Sequence, residues 1–235
     1  MRVIKTVIPF KSDNPKSRLA SVLTDEERKI FAVLSLENVL SALKEAGISK
    51  VDILSKSILE DEDERCLMSA SNTDFEIRII VNESDLNTAV NSYLKSAGNP
   101  VLIVMADLAL LKKENIEAMT APVRQKSGSN ISHPNISYSS VSHSNDPNFV
   151  RIAPGKDGGT NMMFISAPDV FEVSYYGESF IKHKEEAKRK NLICEIHESF
   201  YAAADMDEPE DLNDILRHGS GKILEFTGEV LNNKK

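Results

Sequence analysis

The sequence predicts a single-domain α/β protein with a mostly parallel sheet and helices on both faces, and three observations carry that prediction. Strand-like and helix-like patterns alternate along the chain, the order that βαβ units produce. The run Val101-Leu102-Ile103-Val104-Met105-Ala106 is unbroken and apolar, as a buried strand requires. At 235 residues and 41% hydrophobic content, the chain can bury one full core.

Val3 to Ile8, rich in β-branched residues, reads as the first strand, stopped by Pro9. Thr24 with Glu27 three residues later makes a capping box. Ile30, Phe31, Leu34, Val39, Leu40 and Leu43 then recur at helical spacing until Gly47 ends the first crossover helix. Residues 51–54 and 77–81 predict the second and third strands, and Ser84 caps a helix running to about Ala97. After the apolar run comes a short helix near Lys112 to Met119. Strands over 149–153 and 161–165 flank a turn, Pro154 to Thr160, whose three glycines leave amides exposed. A helix from about Glu178 to Lys190, a strand at Leu192 to Ile196 and a helix entered at Pro209, which suits the first helical position, complete the series.

Residues 124–148 differ in composition, with eight serines between Ser127 and Ser144. Composition favours a mobile loop inserted in the domain. Ile136, Tyr138 and Val141 would also serve short edge strands of a hairpin arm.

The net charge of −8 argues against a general nucleic-acid surface, which needs clustered Lys and Arg to displace counterions. The charge is uneven, however. Residues 1–18 hold five basic side chains against Asp13 alone, and three of them, Lys11, Lys16 and Arg18, follow the first strand closely. An anion site explains this better than a solvated basic edge. Cys66 and Cys194, the two cysteines, form neither a zinc knuckle nor a disulfide framework and read as buried thiols. The five histidines lack metal-like spacing, the acidic run at 60–64 is a solvated block, and no Gly-x-Ser-x-Gly element supports a serine hydrolase. No apolar stretch approaches the roughly 18 residues of a membrane span, so a cytoplasmic protein without a membrane partner is expected. A homodimer is compatible with the sequence but not fixed by it.

Three carboxylates stand out. Asp107 follows a buried strand, and Asp205 and Asp207 sit one residue apart after another. Ligands of parallel α/β sheets collect at such ends, and Mg²⁺ takes hard oxygen ligands while keeping substrate phosphates in its shell. Each aspartate alone would equally well cap the helix that follows it, so the metal reading requires that all three converge. Lys11, Lys16 and Arg18 would grip a polyphosphate, without the glycine spacing of a Walker A loop. Gly159 and Thr160, like Gly177 and Ser179 at a helix start, would take a second anion, with ordinary turn and cap chemistry as the alternative.

Taken together, these motifs resemble the 2-phospholactate guanylyltransferase family of coenzyme F-420 biosynthesis, over nearly the whole chain. The carriers are Pro9-Phe10-Lys11 with Asn14 to Leu19, Asp85 to Ala89, Ala106-Asp107-Leu108, Gly158 to Asn161, Tyr176 to Phe180 with His183, and Asp205 to Leu212. The resemblance implies a Rossmann-like nucleotide-diphospho-sugar transferase (GT-A type) fold, GTP as donor, Mg²⁺, and a small phosphorylated acid such as 2-phospholactate or phosphoenolpyruvate as acceptor. It implies metal binding by Asp107, Asp205 and Asp207, acceptor binding by Gly159, Thr160, Gly177 and Ser179, and a nucleotide-base contact near Asn87. Ala109 in place of proline, Gly155 to Asp157 in place of an Asp-Arg pair, and a longer serine-rich segment depart from the pattern and bear on acceptor preference. A related transferase for a molybdopterin or sugar phosphate, or a non-catalytic nucleotide-binding module, are the competing readings.

Overall fold

The structure, a computed structural model, describes residues 3–11, 15–59, 72–123 and 148–233. The acidic run at 60–64, Cys66 and all but the last residue of the serine-rich segment lie outside the described residues.

Seven strands form one sheet in the order β3-β2-β1-β4-β6-β5-β7. They are β1 (Lys5–Phe10), β2 (Lys50–Ser55), β3 (Glu76–Val81), β4 (Val101–Val104), β5 (Phe149–Pro154), β6 (Thr160–Ile165) and β7 (Ile193–Ile196). Neighbours pair in parallel except at β6, which runs antiparallel to both β4 and β5. Reversal of β6 follows from the short turn between β5 and β6, since a parallel return needs a crossover of a dozen or more residues. The reversal places the start of β6 at the same sheet end as the last residues of β1, β4 and β5. Met105 N–H donates to Asn161 O at 2.9 Å there. Every loop that carries a candidate site residue leaves from this end or returns to it.

The side chains of each central strand divide between two cores. Ile8, Ile53, Leu102, Val104 and Phe164 pack beneath α1 (Asp25–Glu45) and α3 (Lys113–Thr120). Val7, Ile103, Ile152 and Met163 pack beneath α2 (Leu86–Ala97) and α4 (Ser179–Arg189). The period-2 alternation of strand side chains accounts for this division. A third core joins the 3₁₀ turn Ser17–Ser21 to the C-terminal helices α6 (Leu212–His218) and α7 (Gly221–Asn233), with Leu19, Phe31, Met206, Leu212 and Ile223 buried together. The contact among Leu19, Met206 and Leu212 draws the basic loop after β1 onto the acidic loop that follows β7 and the one-turn helix α5 (Phe200–Ala203).

Four local readings change. β1 continues through Pro9 to Phe10, because its ladder with β4 ends at Val7 and the missing N–H then falls on an open side. The cap of α2 is Asp85, not Ser84, its Oδ1 accepting from Asn87 N at 3.0 Å and Thr88 N at 3.3 Å. The helix entered at Pro209 begins as a 3₁₀ turn, Pro209–Asp211, before α6. Cys194 is exposed, since β7 is an edge strand. The capping box of α1 is as expected, with Glu27 N to Thr24 Oγ1 at 3.2 Å and Thr24 N to Glu27 Oε2 at 2.7 Å. No helix of the described residues is long and apolar enough to cross a membrane.

Candidate active site

Strand order decides which loops meet. Because β1 lies beside β4, the loop after Phe10 faces the turn that holds Asp107. Lys16 adopts a left-handed conformation, φ 51° and ψ 43°, which costs an L-residue about 1 kcal/mol. That backbone sends its side chain inward, where 7% of it is exposed. The ammonium donates to Asp107 Oδ2 and to Asp207 Oδ1, each at 2.8 Å. Burial opposes the charge on Lys16, but the two carboxylates outweigh it and hold the ammonium above the ordinary lysine value. Arg18, 60% exposed, reaches Asp207 Oδ2 at 3.4 Å and Glu208 Oε1 at 3.5 Å from the rim.

Asp205 completes the acidic group without a share in these bonds. Its Oδ1 is buried and has no hydrogen-bond partner. Burial, then the negative charges of Asp107 and Asp207, push its carboxyl up to about 6, with Lys156 acting in the opposite sense. The N-cap positions of the nearest helices are held by Lys112 and Glu208, neither with a side-chain cap bond, so helix capping does not account for the three aspartates. They converge electrostatically as expected, but not as a finished ligand set. No three His, Cys, Asp or Glu among the described residues are arranged to hold a metal ion. Lys16 stands between two of the carboxylates and offsets part of their charge. The donor set nevertheless fits a hard cation: all oxygens, one of them buried and unpartnered.

Two adjoining cavities open beside this cluster. One, of about 340 Å³, is lined by Lys11, Lys16, Arg18, Asp107 and Asp207 among others. The other, of about 410 Å³, lies over the ends of β2 and β3 and is lined in part by Leu54, Ser55, Asn82, Asp85 and Tyr176. Lys11 borders both. The second cavity was not foreseen residue by residue, although the rule that ligands collect beyond parallel strand ends would have pointed to it. Asn87 does not line it; its Oδ1 accepts from Tyr175 N at 2.7 Å and ties α2 to the segment before α4.

The glycine-bearing segments also meet. Phe180 N donates to Gly158 O at 3.2 Å, joining the β5–β6 tip to the start of α4, and Gly155 N donates to Gly159 O at 3.0 Å. Gly177 has φ +73°, a conformation that suits glycine. The hydroxyls of Thr160 and Ser179 are buried and line neither of these cavities. Ser174 N–H donates to His183 Nε2 at 2.9 Å, which leaves the proton on Nδ1 to be donated to Thr160 Oγ1 at 2.9 Å. Ser179 Oγ donates to the same oxygen at 3.3 Å. Burial, then the nearby Lys182 charge, pushes His183 down to about 4, so it is neutral at pH 7.

The sheet, with its strand order and its reversed β6, has a fold found in solved nucleotidyl transferases. A nucleotidyl transferase from Methanothermobacter thermautotrophicus shares it with TM-score 0.59 at 13% identity, over 92% of this chain and 97% of that one. The model of the family described as "Guanylyl transferase CofC like" matches residues 4–126 and 134–230, and the chain belongs to that family. It is similar to the 2-phospho-L-lactate guanylyltransferase of Methanosarcina barkeri, 40% identical over 223 residues, 95% of this chain and 91% of that protein. The protein of the same name from Methanosarcina mazei is likewise 40% identical over 223 residues.

Proposed function

We propose that this chain joins GMP from GTP to the phosphate of 2-phospholactate, releasing pyrophosphate, as a cytoplasmic enzyme of coenzyme F-420 biosynthesis that uses Mg²⁺. Family membership supports guanylyl transfer, and one structural observation carries the assignment of the site: Lys16 and Arg18 meet Asp107 and Asp207 at the wall of a cavity that continues into a second, more apolar one. The first suits phosphates and the second a base.

An acceptor phosphate oxygen attacks the α-phosphorus, the bond from that phosphorus to the β-phosphate bridging oxygen breaks, and pyrophosphate leaves with the electron pair. No protein base is required, because a phosphate monoester with second pKa of about 6 is already mostly ionised at neutral pH. The obstacle is the approach of two anions, about 1 kcal/mol per unit-charge pair at 4 Å in water and about 4 at an effective dielectric of 20. Charge neutralisation and alignment therefore dominate. Lys16, released from Asp107 and Asp207, is within reach of the triphosphate. Arg18 grips two oxygens from the rim, and Lys11 stands between base and phosphate cavities. Asp107, Asp205 and Asp207 would hold Mg²⁺, which when bound supplies charge stabilisation at the phosphorus.

Mass spectrometry of products from GTP, Mg²⁺ and a panel of acceptors tests this reading. The expected product is guanylylated 2-phospholactate with one pyrophosphate per turnover. Adducts formed only with sugar phosphates or a molybdopterin, or GTP bound and never cleaved, would overturn it.

A further inference from the structure

Lys156 lies at the tip of the β5–β6 turn, outside the loop that carries the other basic residues of the site. Three bonds fasten its surroundings to α5, the helix that leads into the acidic loop. Lys156 N–H donates to Ala203 O at 3.3 Å. Asn161 Nδ2, one residue into β6, donates to Ala202 O at 3.1 Å and to Ala203 O at 3.3 Å. The Lys156 ammonium pairs with Asp211 Oδ1, on a carboxylate only 9% exposed. The other oxygen of that carboxylate accepts the backbone N–H of Asp207 at 2.9 Å and of Glu208 at 2.8 Å.

Asp211 therefore holds the backbone of Asp207 from behind while Lys156 holds Asp211. The lysine is the outermost member of the chain, and its own backbone is fastened two residues before Asp205. A carboxylate that fixes a turn through two N–H groups is itself fixed only if its second oxygen is engaged; otherwise it rotates, and the turn loosens with it. The same lysine belongs to the turn whose far side, Gly158 and Gly159, meets the start of α4.

We propose that Lys156 is a positioning residue: through Asp211 it sets the geometry of Asp205 and Asp207 and couples that loop to the β5–β6 turn, so that the two sides of the site are built as one unit. The inference rests on the guanylyltransferase reading for its consequence in turnover, but not for its effect on cation binding.

The two effects of losing this lysine on cation affinity have opposite signs, which makes the experiment decisive. Lys156→Met keeps the aliphatic stem and removes a positive charge that acts on Asp205 and Asp211. A through-space charge effect alone, exerted on Asp205, would tighten binding of a divalent ion, whereas loss of positioning weakens it. Mn²⁺ alone is titrated into wild type, Lys156→Met, Lys156→Arg and Asp211→Asn, with free Mn²⁺ read by electron paramagnetic resonance and each fold checked by thermal unfolding. Weakening of about tenfold in Lys156→Met, with recovery in Lys156→Arg, is expected. Unchanged or tighter binding in Lys156→Met overturns the proposal. Should that variant not fold, Asp211→Asn, which keeps one acceptor oxygen for the turn and loses the ion pair, carries the same expectation and the same overturning result. Turnover of the wild type with GTP and 2-phospholactate is measured in parallel. Its absence would count against the guanylyltransferase reading and leave the Mn²⁺ result to decide the role of Lys156.

Discussion

The aspartate cluster and the His183 cluster occupy the same end of the sheet, and both collect residues that the sequence singled out, yet they are built in opposite ways. Around His183 the polar groups match: an amide donates to one ring nitrogen, the other donates to Thr160, and Ser179 joins the same oxygen. Around Asp107, Asp205 and Asp207 they do not. Two of the three carboxylates share one buried ammonium, Lys16 carries a left-handed backbone, and an oxygen of the third carboxylate has no partner. A satisfied network stabilises the fold that contains it. An unsatisfied one holds free energy that a ligand can release, and such strain gathers where a protein works.

Five measurements would break or sharpen that contrast. The largest effect is expected for Asp107→Asn, which should cut pyrophosphate release by roughly 10³-fold with the melting curve little changed. Near-normal turnover would remove Asp107 from the chemistry. His183→Ala should instead cost about 3 kcal/mol in urea unfolding, because it leaves a cavity, an unpaired Ser174 N–H and a Thr160 hydroxyl short of one bond. A loss below about 1 kcal/mol would mean the network is slack.

The same histidine predicts a pH dependence. Its folded value is pushed down to about 4 from 6.5, so between these values the unfolded chain binds more protons. Its stabilisation is complete above pH 6.5 and is lost as the pH falls toward about 4, by about 3 kcal/mol in all. The difference between wild type and His183→Asn over that range isolates it. A flat difference would place a charged imidazole in the fold. Asp205→Asn should raise stability by about 1 kcal/mol while abolishing turnover, since it relieves repulsion in a buried group; a destabilised variant would show that the cluster is not frustrated. Arg18→Ala, at the exposed rim, should change stability by less than about 0.5 kcal/mol and raise KM for GTP several-fold.

Much of this was legible in the chain. Alternating strand and helix patterns, the Thr24–Glu27 capping box and the position of Asp107 after an apolar run all rest on local physics, on periodicity and on short-range hydrogen bonding. The motif resemblance pointed to the family from residues spread over the whole length. What local reasoning missed came from contacts between segments distant in sequence, except at the cap of α2. There the choice was local, between neighbouring acceptors, and Asp85 rather than Ser84 reached the free amides of Asn87 and Thr88. The inward turn of Thr160 and Ser179 followed from His183, which packs against them from α4. Asn87 was claimed by the backbone of Tyr175.

Composition and order of residues, by themselves, determined an α/β sheet with helices on both faces, a basic opening loop and acidic side chains at strand ends. Tertiary structure alone decided that β1 lies next to β4, that β6 runs backwards, and that Leu19 packs with Met206, so that Lys16 comes to stand between Asp107 and Asp207. The physical reason is that a side chain's type fixes what it can bind, whereas its partner is fixed by packing between segments as much as 191 residues apart in sequence.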